Sequence, residues 1–265
     1  MKGLKGKSAI VTGGGAGIGK ACVERLCQEG VSVTFSDMDE KNAAETLENM
    51  RKKGYQIQAI IGDMCEEDFC KKLVEAASNQ WGNLHFLVNN AFSFISKGMD
   101  STQKDWERIM NVGPVAFAHM VRYAAPHMRQ AGSGAVVNVS SISAHIVQPN
   151  RWTYNSAKAA VSHLTRCMAF DLAPDIRVNA VSPAWIWTQE VEKVAVGERD
   201  KWEPIWADFH PMNRIGRAEE VAGPIAFLLS EEASFITGTD LFIDGGYLTM
   251  GAEGKGHNSS FVGSE

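Results

Sequence analysis

The sequence lacks the usual marks of secreted, metal-binding and membrane proteins. Its five cysteines, at positions 22, 27, 65, 70 and 167, are odd in number and include no C-x-x-C pair. We therefore expect neither a disulfide framework nor a zinc site, and we predict a reduced, cytoplasmic protein. The first residues contain no apolar signal-peptide core, and no apolar run is long enough to cross a membrane.

Positive charge is outnumbered by negative charge. The 265 residues carry a formal net charge of −5, and lysines and arginines form no basic patch, so nucleic acid is not an expected partner. With 45% hydrophobic residues, the chain can bury a sizeable core. No repeat or linker interrupts residues 1–250, which we predict to form a single domain, and residues 251–265 have the composition of a mobile tail.

The amino-terminal region has the pattern of a dinucleotide site. A short apolar run at residues 8–12 ends in a glycine-rich turn at residues 13–19, and residues 20–30 then follow with helical spacing. Glycines let the backbone approach a pyrophosphate, and the helix N-terminus offers it free N–H groups. The next apolar run ends at Asp37, where a carboxylate can accept hydrogen bonds from ribose hydroxyls.

Asp37 also predicts which dinucleotide is used. The 2′-phosphate of NADP would lie against its negative charge. No lysine or arginine occupies residues 14–16, and residue 38 is a methionine, so no cation near Asp37 in sequence would offset that repulsion. We therefore expect NAD.

Strand-like and helix-like segments alternate through the rest of the chain. This alternation predicts an α/β fold: a Rossmann-like, doubly wound parallel sheet of about seven strands with helices on both faces. Residues 104–130 are expected to form a long helix disturbed at Pro114. Residues 184–216 are rich in tryptophan, and we expect them to be irregular and to act as a lid over the substrate.

The stretch from Ser141 to Lys158 carries a candidate acid/base site. Tyr154 and Lys158 are four residues apart, so they share one face of a helix. A nearby ammonium favours the tyrosinate over the phenol, which otherwise titrates near ~10. The Ser141 hydroxyl can hydrogen-bond the oxygen that gains or loses the proton.

Taken together, these motifs resemble those of the short-chain dehydrogenase/reductase family from Lys7 to about Tyr247. The resemblance rests on T-G-G-G-A-G-I-G at residues 12–19, Asp63, V-N-N-A at 88–91, the Ser141, Tyr154 and Lys158 set, S-P-A-W-I-W-T at 182–188 and the closing segment 238–246. It implies that Tyr154 exchanges a proton with the substrate, that Ser141 rather than Ser140 binds the substrate oxygen, and that Lys158 also holds the nicotinamide ribose. It further implies that Asn111 holds a water linking Lys158 to solvent.

The resemblance also implies a set of cofactor contacts along the chain. These are Thr12, Gly13, Gly17, Ile18, Gly19, Asp37, Met38, Asp63, Met64, Asn90, Tyr154, Lys158, Pro183, Ile186 and Thr188.

Three residues depart from the family pattern and bear on the substrate. Phe92 and Ala184 stand where the family has glycine, and Pro114 stands where small residues are usual. Phe92 is expected to narrow the pocket, and His145, Trp185 and Trp187 are further candidates for substrate contact. The tryptophans can either stack on a sugar or aromatic ring or simply anchor the lid.

The predicted activity is hydride transfer between NAD(H) and a small secondary alcohol, sugar or ketone. Two alternatives stay open: action on a bulkier aromatic, steroid-like or acyl hydroxy compound, and a non-catalytic relative that only binds a dinucleotide. The resemblance implies a homotetramer. We expect no membrane partner.

Overall fold

The computed structural model describes residues 1–251 and residue 254, so the predicted tail lies almost entirely outside the described residues. Strands and helices alternate within it as predicted. The strands are β1 (Ser8–Thr12), β2 (Ser32–Asp37), β3 (Ile57–Ile61), β4 (Phe86–Asn89), β5 (Gly134–Val139), β6 (Ile176–Pro183), β7 (Ile186–Trp187), β8 (Gly216–Arg217) and β9 (Asp240–Ile243). The helices are α1 (Gly17–Gln28), α2 (Glu40–Lys52), α3 (Glu67–Trp81), α4 (Gln103–Met110), α5 (Ala116–Gln130), α6 (Trp152–Leu172), α7 (Gln189–Ala195), α8 (Arg199–Ala207) and α9 (Ala218–Leu229).

Within the described residues, seven of these strands form one parallel sheet in the order β3-β2-β1-β4-β5-β6-β9. The predicted Rossmann-like fold is therefore confirmed. The chain winds outward from β1 in one direction through β3 and then in the other from β4. Ligands of open α/β sheets bind at the carboxyl ends of the strands, at the point where the winding direction changes.

The two faces of the sheet are covered by separate hydrophobic layers. Successive strand residues point to opposite faces, so Val11 packs with α1 and α9 residues on one face, and Ile10 packs with α3 and α5 residues on the other. This burial on both faces fixes the register of the strands and the position of their polar carboxyl ends. No helix of the described chain is both long and apolar enough to be a membrane span.

The predicted long helix at residues 104–130 is split by a kink. A single wide turn, Asn111–Val115, separates α4 from α5, and Gly113 within it has non-helical torsion angles (φ −88°, ψ −111°). Pro114 has no N–H to donate to the preceding turn, which explains the break. The kink brings residues 111–115 next to α6, where the candidate site lies.

The tryptophan-rich segment differs from the expectation that residues 184–216 are irregular. It contains α7, α8 and the short parallel pair β7–β8. The Thr188 side chain caps α7 by accepting from the Val191 N–H. Trp206 is buried at the centre of a small core, stacked on Trp185 and Trp202, and this packing orders the segment.

Candidate active site

A cleft of about 760 Å³ runs along the carboxyl ends of the sheet strands. Asp63 lies at one end, beyond β3, and Trp185 lies at the other, beyond β6. All predicted cofactor-binding residues except Thr12 and Gly19 line this cleft. The cleft therefore has the position and reach that a dinucleotide requires.

The glycine turn leaves the first turn of α1 open to an anion. The N-cap residue, Ala16, has no side-chain oxygen to cap the helix, and the first turn contains no acidic residue. Gly17, which lines the cleft, has φ +52°, a conformation that glycine adopts without strain. These features fit a pyrophosphate, since the free N–H groups and the positive helix end face the cleft.

The two predicted residues that do not line the cleft shape the turn instead. The Thr12 hydroxyl accepts hydrogen bonds from the Asn90 N–H (2.9 Å) and the Ala91 N–H (3.0 Å), which joins the ends of β1 and β4. A Cβ on Gly19 would lie 1.9 Å from the Gly13 carbonyl oxygen. Gly19 is therefore required for close packing of α1 on the turn.

Asp37 is held in place by the backbone around it. Its Oδ2 accepts from the Gly15 N–H (2.8 Å), and its Oδ1 accepts from the Asp39 N–H (3.0 Å). Each carboxylate oxygen keeps a free lone pair, so both can still accept from hydroxyl groups in the cleft. This geometry suits recognition of a ribose diol.

Asp63 pairs with Arg108, a residue that sequence analysis missed. Arg108 Nη1 lies 2.5 Å from Asp63 Oδ2, and its Nη2 lies 3.9 Å from the Met38 sulfur. Burial raises the pKa of Asp63, but hydrogen bonds from Arg108 and the Cys65 N–H outweigh it and hold the pKa below its usual value. A cation thus lies at the Asp37 end of the cleft, although it comes from α4, far along the chain.

Ser141 and Tyr154 meet at the opposite end of the cleft. Ser141 follows β5, Tyr154 lies in the first turn of α6, and the two side chains share a hydrogen bond. Burial raises the pKa of Tyr154 to about 12, against the opposing effects of Ser141 and the Arg151 charge. Ser140, the rival for the serine role, instead bonds the Lys158 carbonyl and Ser162, so the structure favours Ser141.

Lys158 is almost fully buried one turn after Tyr154. It is 3% exposed, its Nζ donates to the Val139 carbonyl (2.9 Å), and burial lowers its pKa to about 7. The predicted effect of Lys158 on Tyr154 is not seen in the protein alone, because this burial disfavours charge on both side chains. A charge from a bound group would be needed to ionise Tyr154 near neutral pH.

Besides Thr12 and Gly19, three of the predicted site residues lie away from the cleft lining. Asn111 begins the kinked turn and is exposed, outside the cleft lining, and its implied role of holding a water that links Lys158 to solvent stays a prediction. His145 instead bonds Asp240 through Nε2 (3.0 Å) and packs edge-on against Phe242. Trp187 contacts Trp206 and the Arg199 guanidinium within the tryptophan-rich segment.

The end of the cleft that contains Tyr154 is lined by aromatic rings. Phe92 lies edge-on to Tyr154, with 5.7 Å between ring centroids, and Phe94 stacks on Tyr154 at 5.8 Å. Trp185 lines the same end, next to the Arg151 guanidinium, which lies 5.9 Å from its ring centroid. Sequence analysis did not single out Phe94 or Arg151, because nothing in their spacing connects them to Tyr154 before α6 and the loop after β4 are folded together.

Comparison with known proteins identifies the family of the chain. Residues 13–248 match a family model described as enoyl-(acyl carrier protein) reductase. A cis-4-hydroxycyclohexanecarboxylate dehydrogenase from Sinomonas cyclohexanicum is 37% identical over 91% of this chain and 96% of its own. The chain belongs to the short-chain dehydrogenase/reductase family.

Solved structures of family members have the same fold. A 7 alpha-hydroxysteroid dehydrogenase complexed with NADH and 7-oxo glycochenodeoxycholic acid superposes with a TM-score of 0.86 at 34% identity, over 92% of this chain and 94% of that one. The ligand-free aldohexose dehydrogenase of Thermoplasma acidophilum gives a TM-score of 0.85 at 34% identity, over 94% and 96% of the two chains. The predicted family is confirmed, and the protein is an oxidoreductase of this family.

Proposed function

We propose that this protein is an NAD-dependent dehydrogenase that interconverts a secondary alcohol and its ketone. The observation that carries the proposal is the placement of Ser141, Tyr154 and Lys158 at one end of a cleft whose other end fits a dinucleotide. When bound, NAD supplies a two-electron acceptor for the hydride of the alcohol carbon. The remaining chemistry is a proton transfer, and the protein provides the groups for it.

Tyr154 is the proposed proton carrier. Its phenolic oxygen takes the hydroxyl proton of the alcohol during oxidation and returns it to the carbonyl oxygen during reduction. Ser141 donates a hydrogen bond to the same substrate oxygen and so fixes its position. Lys158 and the positive ring of the oxidised cofactor favour the tyrosinate.

The proposed preference for NAD over NADP rests on Asp37. Its carboxylate faces the cleft with two oxygens held by backbone N–H groups, so a 2′-phosphate would meet a fixed negative charge. Arg108 lies at the same end, but its guanidinium is already paired with Asp63. This pairing leaves the repulsion at Asp37 largely uncompensated.

The aromatic wall supports a ring-borne secondary alcohol as substrate. Phe92, Phe94 and Trp185 present apolar faces beside Tyr154, which suits an alicyclic ring better than a fully hydroxylated sugar. Relatives named for a hydroxycyclohexanecarboxylate and for a hydroxysteroid support both a small and a bulkier ring compound. An aldohexose dehydrogenase among the structural neighbours supports the sugar alternative.

Arg151 indicates which charge the proposed substrate carries. Its guanidinium lines the cleft beside Trp185, and no carboxylate pairs with it in residues 1–251 or residue 254. A buried or partly buried cation without a partner favours an anionic ligand. We therefore expect a carboxylate on the ring to improve binding.

A panel of substrates tests the proposal. Ring alcohols with and without a carboxylate, a hydroxysteroid and aldohexoses are each offered with NAD and with NADP, and NADH or NADPH formation is followed by absorbance. We expect turnover with NAD and a ring alcohol. Turnover of no alcohol, together with measurable NAD binding, would favour the second candidate, a non-catalytic dinucleotide-binding relative. Asn111 does not line the cleft, and this is the observation that favours that candidate.

A homotetramer with D₂ symmetry is the proposed assembly. Phe170 on α6 is 86% exposed, and Leu241 and Phe242 on the edge strand β9 are 36% and 45% exposed. Apolar side chains on a helix face and a sheet edge are typical of subunit contacts. Light scattering should give four times the chain mass; a monomer mass at all concentrations would contradict this.

The proposed location is the cytoplasm. All five cysteines are free, and three of them, Cys22, Cys27 and Cys70, are buried in the core. Free thiols persist in a reducing compartment. Cell fractionation would test the location.

A further inference from the structure

The Lys158 ammonium rests on the face of an aromatic ring. Its Nζ lies 3.6 Å from the centroid of the Phe92 ring, closer than the 5.7 Å to the Tyr154 ring. Phe92 stands where the family pattern has glycine, so this contact comes from a departure in this chain. It involves the one buried lysine of the proposed proton relay.

The kink between α4 and α5 makes room for the Phe92 ring. A Cβ added to Gly113 would lie 2.5 Å from Phe92 Cε2, so a larger residue at 113 would displace the ring. Phe117 of α5 packs edge-on against the other part of the ring, with centroids 6.3 Å apart. Phe92 is therefore wedged between the kink and Lys158.

The ring face favours the charged form of Lys158. An ammonium close to the face of a phenylalanine is attracted by the negative charge density of the ring, and more strongly when it is shielded from water. This attraction opposes the effect of burial, which lowers the pKa of Lys158 to about 7.

The other groups around Lys158 are few and mostly uncharged. Its own helix supplies the Tyr154 ring, β5 supplies the Val139 carbonyl, and the Ser140 hydroxyl donates to the main-chain carbonyl of Lys158. The loop after β4 supplies Phe92 itself. Within the described residues, no carboxylate pairs with Lys158, and Arg151 is the cation that acts on Tyr154.

We propose that Phe92 is a positioning residue whose ring face holds the Lys158 ammonium charged and in place. The proposal gives an aromatic ring a role at Lys158 that is separate from the water link to solvent that the family resemblance implies for Asn111. Its consequence for catalysis rests on the proposed dehydrogenase function, because a charged Lys158 is what lowers the pKa of Tyr154 in the working site.

Titration of Lys158 itself tests the proposal without any substrate or cofactor. The protein is prepared with ¹³C-labelled lysine, the Lys158 signal is assigned with Lys158→Met, and its midpoint is followed by NMR. Phe92→Leu removes the ring but keeps an apolar side chain. We expect the midpoint to fall by about 0.5 to 1 pH unit.

Phe94→Leu is the matched control. Phe94 is in the same loop and also contacts the Tyr154 ring, but the Lys158 contact belongs to Phe92. The Lys158 midpoint should stay at the wild-type value in this variant. An equal fall in both leucine variants would overturn the proposal, because it would reflect a general loosening of the aromatic wall.

If Phe92→Leu changes the packing or does not fold, the Lys158 midpoint is measured instead in a protein with a fluorinated ring at position 92. Pentafluorophenylalanine at position 92 keeps the ring and nearly its shape but removes the negative charge density of its face. A lower Lys158 midpoint in this protein supports the proposal. A wild-type midpoint overturns it, whatever the leucine variant shows.

Enzyme assays of the same proteins separate the two proposals. If no alcohol is turned over but the midpoint falls, the function proposed above fails and the role of Phe92 stands. If turnover is found but the midpoint does not move, Phe92 is only a wall of the pocket.

Discussion

The two ends of the cleft are built differently. The dinucleotide end consists of strand ends and a glycine turn, and its polar groups are fixed by backbone hydrogen bonds, as at Asp37. The proposed substrate end consists of loops and α6, with aromatic rings around Tyr154, and the tryptophan-rich segment beside it packs on itself through Trp206. The sheet determines where the groups of the dinucleotide end lie. The groups of the other end are positioned by contacts between side chains that are distant along the chain.

This difference predicts which substitutions change which property. Changes at the dinucleotide end should alter cofactor affinity and choice with little effect on the alcohol. Changes at the substrate end should alter turnover or alcohol affinity and leave cofactor binding intact. Lys158 is proposed both to hold the cofactor and to act on Tyr154. Its substitution should therefore change both cofactor affinity and turnover.

The largest expected effect is that of Tyr154→Phe. The variant keeps the ring that packs against Phe92 and Phe94 but lacks the oxygen that carries the proton. We expect a loss of about 4 kcal/mol or more of transition-state stabilisation, roughly a thousandfold in rate. NAD affinity, measured by titration of protein fluorescence, should change little. An equal loss of affinity and rate would show that Tyr154 is structural.

The second effect is on stability and comes from Lys158→Met. Burial lowers the pKa of Lys158 from 10.5 to about 7, so between these values the unfolded chain binds a proton that the folded protein does not. The contribution of Lys158 to stability therefore rises with pH across this window, by at most about 5 kcal/mol. Methionine cannot titrate, so we expect the wild type to gain stability relative to Lys158→Met between pH 7 and pH 10.

Chemical denaturation at several pH values measures this difference. Lys71→Met, at an exposed position on α3, is the control and should show no such trend. A constant difference between wild type and Lys158→Met would mean that Lys158 keeps its charge in the folded protein throughout the range.

A smaller effect is expected for Asp37→Ala. Loss of the carboxylate removes both the ribose acceptor and the repulsion of a 2′-phosphate. The ratio of kcat/KM for NAD to that for NADP should fall at least about tenfold, equivalent to about 1.4 kcal/mol. Asp39→Asn, which keeps an oxygen to cap α2, should leave the ratio unchanged. A wild type that used both cofactors equally would already contradict the assignment.

The smallest effect is expected for Trp185→Leu. Trp185 lines the cleft, so its loss should raise the KM of a ring alcohol about threefold to tenfold without changing NAD affinity. Trp187→Leu is the matched control from the same cluster, and Trp187 lies outside the cleft lining. Equal effects of the two would mean that the tryptophans act only by anchoring the lid.

The dinucleotide end could be predicted from the sequence because its features are local. A strand, a glycine turn and a helix follow one another within about twenty residues. The spacing of the apolar residues in the chain predicts which segments form the strands of the sheet. The contact at the start of α2 is equally local, because the Asp39 side chain caps the helix by accepting from the Asn42 N–H. Arg108 was missed because its partner, Asp63, is distant along the chain.

The substrate end could be predicted only in part. Tyr154 and Lys158 share a helix, so their proximity followed from spacing. The position of Asn111 depended on the geometry of the kink, and the torsion angles of Gly113 are not readable from a sequence. The Phe92 contact with Lys158 and the hydrogen bond between His145 and Asp240 arise from tertiary packing alone.

The most direct test of the account is the pH dependence of wild-type alcohol oxidation. Initial rates of NADH formation from the best ring alcohol of the panel are measured with saturating NAD, beside Tyr154→Phe. We predict a wild-type rate that rises with pH through one ionisation below ~10, the value of free tyrosine, because oxidation needs the tyrosinate. The residual rate of the variant should lack that ionisation. The same rising profile in both proteins would contradict the assignment of Tyr154 as the proton carrier.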